Sequence, residues 1–168
     1  MMSNFQDFLE ESYLESNFGP IYHFTNSYYL YSILSENILK TGWFENPFFG
    51  KNLKIVSFSR EKNMNIDEYK ADLDIIICIN KNKMIIDGYK LYPYDYFIQS
   101  GKEKYSKSNI LRTKPFEFEE ASKIDISNID KYIMFIDFLK DSLFNSSNSV
   151  KILKKKNIPI YEDGRRIL

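Results

Sequence analysis

The stretch Ile75-Ile76-Ile77-Cys78-Ile79 constrains this chain more than any other. β-branched apolar residues without polar alternation suit a strand covered on both faces. Leu73 to Ile79 therefore reads as the central strand of a sheet. The run is far shorter than the ~20 residues a membrane span needs. A chain of 168 residues matches one domain and is long enough to bury a core without disulfide or metal staples.

Charge and cysteine content narrow the class further. Lys+Arg and Asp+Glu both total 23, so the formal net charge is zero. A general nucleic-acid binder normally carries a basic surplus, although a local basic groove stays open to this chain. One cysteine excludes a disulfide scaffold and any Cys-rich zinc site. The opening MMSNFQDFLEES has neither a basic stretch nor an apolar one, which predicts no secretory signal. The expectation is a soluble cytoplasmic protein of one domain, residues 1–168, with no membrane partner.

No repeat or long linker divides the chain. Phe5, Phe8, Leu9 and Tyr13 have helical spacing, which predicts a helix over 3–18 that stops at Gly19-Pro20. Ile21 to Phe24 reads as a short strand. A helix follows, capped by Asn26 or Ser27, with Leu30, Ile33, Leu34 and Ile38 on one face and Gly42 as its C-cap. Residues 43–52 read as a loop, Leu53 to Phe58 as a strand, and 61–72 as a loop or short helix. Met84 to Asp87 reads as a helix turn or a short continuation of the central strand. Residues 88–115 read as an irregular excursion, with Lys residues in 102–114 able to form a basic wall. Phe116 to Ile124 and Ile133 to Leu139 read as strands, with a capped turn at Ser127-Asn128-Ile129-Asp130 between them. Asn145 to Asn148 reads as a loop, Val150 to Lys156 as a basic helix, and Ile158 to Tyr161 as a strand that Pro159 confines to a sheet edge or a strand start. The fold class is α+β, with about five to seven strands and two or three helices. Helices and strands do not alternate regularly, which argues against a Rossmann-type sheet.

Few residues can carry chemistry. His23 is the only histidine, so a multi-histidine metal site is excluded. Taken alone it reads as a satisfied structural histidine. No G-x-S-x-G elbow exists to receive a Ser-His-Asp relay, and no G-x-x-x-x-G-K-[ST] or G-x-G-x-x-G loop exists to cradle phosphate. Ser57 and Ser59 share a strand face, with Arg60 following. Arg60 is one of four arginines, the others being Arg112, Arg165 and Arg166, and its planar fork suits phosphate or carboxylate. In Phe116-Glu117-Phe118-Glu119-Glu120, alternation puts Glu117 and Glu119 on one face and Glu120 on the other. Alone, each of these reads as a solvated strand end.

Together, Ile21-Tyr22-His23-Phe24-Thr25, Val56-Ser57-Phe58-Ser59-Arg60 and Phe118-Glu119-Glu120 stand in an order that resembles the ADP-ribosyltransferase superfamily. The resemblance is to its small bacterial and phage members similar to DarT-type toxins. It spans residues 20–162, with 1–19 as an N-terminal helical addition. It implies a split mixed sheet with flanking helices, NAD as substrate and no metal. It also implies a macromolecular acceptor, protein or nucleic acid. Such transfer breaks the nicotinamide–ribose bond through an oxocarbenium-like transition state, as in glycoside hydrolysis. A carboxylate beside the ribose stabilises the charge that develops.

By the resemblance Glu120 is that carboxylate, with Glu119 and then Glu117 as alternatives. His23 orients NAD through a ribose and Thr25 supports the same turn. Ser57 braces the late glutamate or the nicotinamide ribose, and Arg60 meets the pyrophosphate or the acceptor. A tyrosine stacks on nicotinamide, with Tyr69 preferred over Tyr28, Tyr29 and Tyr31. The other reading is a catalytically inactive protein on the same fold, acting as a binding or anti-defence module. Its interface would come from Trp43-Phe44, Phe48-Phe49 or Tyr89 to Phe97.

Overall fold

The computed structural model describes residues 19–44, 53–60, 62, 73–94 and 119–168. Of Phe44, Leu53, Tyr92, Pro93, Tyr94 and Glu119 it describes the backbone alone. The helix expected over 3–18, Tyr69, Glu117 and the lysines of 102–114 lie outside these residues.

The first strand, β1, is Ile21–Thr25, and helix α1 is Ser27–Glu36. Asn26 caps α1, its side chain accepting the Tyr29 N–H. Asp74 also accepts the Ser27 N–H at 2.7 Å, an acid placed at the positive end of the helix. Leu30, Ile33 and Leu34 are the buried stripe. The helix ends earlier than its apolar spacing predicts. Asn37 adopts the left-handed conformation at φ 56° and returns its N–H to the Ile33 carbonyl. Ile38 therefore leaves the helix and opens β2, Ile38–Leu39. Gly42 is not a cap. It starts β3, Gly42–Phe44, which pairs with β4, Leu53–Ser59.

The expected central strand is β5, Ile75–Ile79, buried along its whole length. The short helix α2, Lys81–Ile86, follows Asn80, whose side chain caps the Lys83 N–H. Within the stretch expected to be irregular, Tyr92–Tyr94 forms β6. Then come β7, Glu119–Ser122, and β8, Ile126–Ser127. A 3-10 turn at Ile129–Lys131 leads to β9, Ile133–Phe138. The expected loop at Asn145–Asn148 is helical. A 3-10 turn over Phe144–Ser146 runs into α3, Ser147–Lys155, whose inner face carries Ser149 and Leu153. The chain ends in β10, Ile160–Glu162, and β11, Arg165–Arg166. Asp163 and Gly164 join them with φ 46° and 79°, the paired positive angles of a tight hairpin turn.

Among the described residues nine strands form one mixed sheet in the order β11-β10-β9-β5-β1-β4-β7-β6, with β3 on β4, while β2 and β8 pair separately. The β9–β10 pair is parallel and the other pairs are antiparallel. Strand β1 is laddered to β5 from Ile21 to Thr25, but to β4 only through Tyr22 opposite Ser59. The sheet is thus split into two halves at the β1–β4 seam. The core gathers Ile21, Ile75, Ile77, Ile79, Ile136 and Phe138 of the sheet under Leu30, Ile33 and Leu34 of α1, with Met84 of α2 and Leu153 of α3. Burying side chains of this size contributes about 1.5–3 kcal/mol each, before the entropy of ordering them. Among the described residues no helix is long and apolar enough to cross a membrane.

Candidate active site

Sheet register decides which of the expected residues share a face. Cross-strand partners project to the same side and successive residues to opposite sides. Tyr22 stands opposite Ser59, so His23 lies on the face of Phe58, and their rings meet edge to face at 6.0 Å. Glu120 stands opposite Phe58 and shares that face. Thr25, two residues after His23, shares it too and is 6% exposed. Ser57 stands opposite Ala121, so its side chain is on the other face. The expected brace from Ser57 to the late glutamate is therefore not made by its hydroxyl. Ser57 contributes its carbonyl oxygen, which lies 3.0 Å from His23 Nδ1. That oxygen can only accept, so Nδ1 carries the proton and neutral His23 keeps Nε2 as an acceptor. Burial pushes the His23 pKa below its ordinary 6.5, and the bond to the Ser57 carbonyl works against that shift.

Glu120 is 1% exposed and is the centre of an ion cluster. Arg60, just past the end of β4, donates from Nε to Glu120 Oε1 at 2.6 Å. Lys81, the first residue of α2, donates from Nζ to the same oxygen at 2.5 Å and is 2% exposed. Oε2 has no hydrogen-bond partner among the described residues. A carboxylate this buried is tolerated because two cations bond it. Burial holds the Lys81 ammonium below its ordinary 10.5; the Glu120 charge opposes that lowering and the Arg60 charge adds to it.

The structure thus joins Arg60 to Glu120 and sets His23 and Thr25 on the same face across the seam. Tyr69 and the Glu119 side chain lie outside the described residues. Lys81 was not foreseen. The available signal was Asn80, a capping residue directly after an unbroken buried strand, which puts residue 81 at the end of the central strand. Among the described residues no group of three metal-ligating side chains is found.

A buried acid held by two cations through one oxygen keeps the other as an unused acceptor, which can take a hydrogen bond from a hydroxyl and can stabilise a cation beside it. Arginine at its side can also meet an anionic group.

No family model and no curated protein matches the sequence. Solved structures do match the fold. Thermus sp. 2.9 DarT in complex with NAD+ aligns at TM-score 0.54 and 12% identity, covering 89% of this chain and 97% of that one. The same protein in complex with carba-NAD+ aligns at 0.52 and 13%, covering 88% and 96%. In complex with ADP-ribosylated ssDNA it aligns at 0.51 and 11%, covering 86% and 94%. The mixed sheet with its flanking helices is the fold of the DarT ADP-ribosyltransferases.

Proposed function

We propose that the chain is an NAD-dependent ADP-ribosyltransferase. The observation that carries this reading is the buried Glu120 carboxylate, bonded through Oε1 and without a hydrogen-bond partner at Oε2 among the described residues, on the sheet face that His23 shares. The likeness to a DarT bound to NAD+ supports NAD as the substrate. In this reading Oε2 accepts a hydroxyl of the nicotinamide ribose. The C1′–N bond breaks with its electron pair leaving on nicotinamide, and the Glu120 charge stabilises the oxocarbenium ion. An acceptor nucleophile then bonds to C1′ and gives up its proton to solvent. His23 Nε2 accepts from the other sugar or holds the nicotinamide end. Thr25 supports that turn, Arg60 meets the pyrophosphate or the acceptor, and Tyr69 stacks on nicotinamide. The neighbour holding ADP-ribosylated ssDNA favours nucleic acid over protein as the acceptor class. A phage effector or toxin acting in the cytoplasm is the biological setting of this reading.

One observation favours a second reading. Glu120 is 1% exposed and its Oε1 is bonded by two cations, which also suits a structural role in an inactive binding or anti-defence protein. Nicotinamide release from NAD separates the two, with single-stranded DNA and a cell lysate offered as acceptors. Release lost in Glu120→Gln and retained in Glu119→Gln supports the transferase with Glu120 as its carboxylate. Loss only in Glu119→Gln moves that role to Glu119. Neither release nor calorimetric NAD binding by the wild type overturns the reading in favour of the second.

A further inference from the structure

We infer that Lys81 is a positioning residue that fixes which oxygen of Glu120 is offered to substrate; this rests on the transferase reading above. Lys81 and Arg60 approach from different elements, the start of α2 and the end of β4, yet both bond Oε1. Sharing one oxygen leaves Oε2 as the carboxylate oxygen of Glu120 without a hydrogen-bond partner among the described residues. A carboxylate bonded by Arg60 alone could rotate and exchange its oxygens. The second donor removes that freedom.

Lys81 is a poor choice for the local structure. At the first position of a helix its charge opposes the positive end of the backbone dipole, where acids are favoured. At 2% exposure it also gives up hydration that a lysine rarely surrenders. Its contact with Glu120 works against both costs. The helix that carries it is held at both ends by one residue. The Tyr132 carbonyl accepts the Asn80 N–H at 2.8 Å, and the Tyr132 hydroxyl donates to Asp87 Oδ2 at 2.7 Å. Tyr132 is itself 3% exposed, so Lys81 is presented from a fixed support.

The test combines kinetics with a signal that needs no turnover. Lys81→Met, Lys81→Arg, Glu120→Gln and the Lys81→Met/Glu120→Gln double variant are compared with wild type. For nicotinamide release, Lys81→Met lowers kcat about 100-fold, the cost of a misplaced reacting group, with KM for NAD little changed. Lys81→Arg recovers part of the loss. In the Glu120→Gln background Lys81→Met adds no further loss, because it acts through Glu120. The infrared carboxylate stretch that disappears in Glu120→Gln shifts in Lys81→Met, since one donor on Oε1 is gone. Should Lys81→Met fail to fold, the band shift and kcat in Lys81→Arg carry the test.

Release abolished by Glu120→Gln, with kcat and the band both unmoved by the Lys81 variants, overturns this inference and leaves the transferase reading standing. A kcat unchanged with a raised KM also overturns it. No release by any form, with the band shifted in the Lys81 variants, leaves Lys81 as the group orienting Glu120 while the transferase reading falls.

Discussion

His23 and Ser57 are joined across the seam of the sheet: Nδ1 of the imidazole donates to the Ser57 carbonyl oxygen at 3.0 Å. The backbone ladder between β1 and β4 amounts there to Tyr22 opposite Ser59, so this side-chain bond supplies a link the strands do not. His23→Phe keeps the edge contact with Phe58 and removes the donor. It is expected to cost about 1–2 kcal/mol in urea unfolding, because a part-buried carbonyl loses its partner. The pH dependence has a definite sign. Burial lowers the folded pKa below the unfolded 6.5, so the folded state favours neutral histidine. Its contribution is complete above pH 6.5 and is lost as pH falls through the lower folded value. His23 is the only histidine, so this acid-side loss disappears in His23→Phe. An unchanged profile in that variant contradicts the lowered His23 pKa.

Glu120 matters to the fold as well as to the proposed chemistry. Removing it takes away the carboxylate that both Arg60 and Lys81 bond, with Lys81 at 2% exposure. Breaking one partner out of a buried ion cluster costs about 3–5 kcal/mol. Glu120→Ala should therefore lose that much in chemical denaturation. Lys81→Met/Glu120→Ala should regain part of it, because the stranded lysine goes too. A double variant no more stable than Glu120→Ala would show that Lys81 is not the stranded charge.

The two ends of α1 depend on asparagines with different tasks. Asn26 accepts the Tyr29 N–H at 3.1 Å, so Asn26→Ala should cost about 1 kcal/mol. Asn37 sits at φ 56°, and its Oδ1 also accepts the Asp130 N–H at 3.1 Å. Asn37→Gly removes the strain and the bond together, and should change stability less than Asn37→Ala, which keeps the strain. Thermal melts of the three variants rank these effects directly.

These asparagines also show what was legible in advance. The buried strand β5 and the start of α1 were plain, because unbroken β-branched residues and a cap before an apolar stripe each have one common structural meaning. The end of α1 was not. Ile38 and Gly42 continue the helical pattern, and the stop came from Asn37, a residue that tolerates the left-handed region without announcing it. Asn145 to Asn148 reads as loop because serine and asparagine compete with the backbone for hydrogen bonds, yet Ser147 and Asn148 open α3, on which Ser149 packs inward. The β10–β11 hairpin was announced by Asp163-Gly164 and overlooked because its second strand is two residues long. Within the site, the order of His23, Arg60 and Glu120 along the chain brought out residues that share one face. Lys81 stayed hidden because a lysine in a lysine-rich chain reads as solvated until burial is known.

Asp137 is the second buried acid tied to the segment leaving β4, and it anchors the chain's last hairpin. It is 1% exposed on β9; Oδ1 accepts the Gly164 N–H at 3.0 Å and Oδ2 meets Lys62 Nζ at 2.6 Å. Lys62 also lies over the Phe135 ring at 5.4 Å from its centre. Arg60 and Lys62, two residues apart, are thus held by acids from different strands, Glu120 on β7 and Asp137 on β9. Three substitutions should fall in order. Lys62→Met strands a buried carboxylate and costs most, about 3–5 kcal/mol. Asp137→Asn keeps an acceptor for Gly164 and leaves Lys62, 30% exposed, able to rehydrate, so it costs about 1–3 kcal/mol. Gly164→Ala forces a side chain into φ 79° and costs about 1–2 kcal/mol. Urea midpoints measure all three. A Lys62→Met variant as stable as wild type would show that the ion pair with Lys62 is not what keeps Asp137 buried.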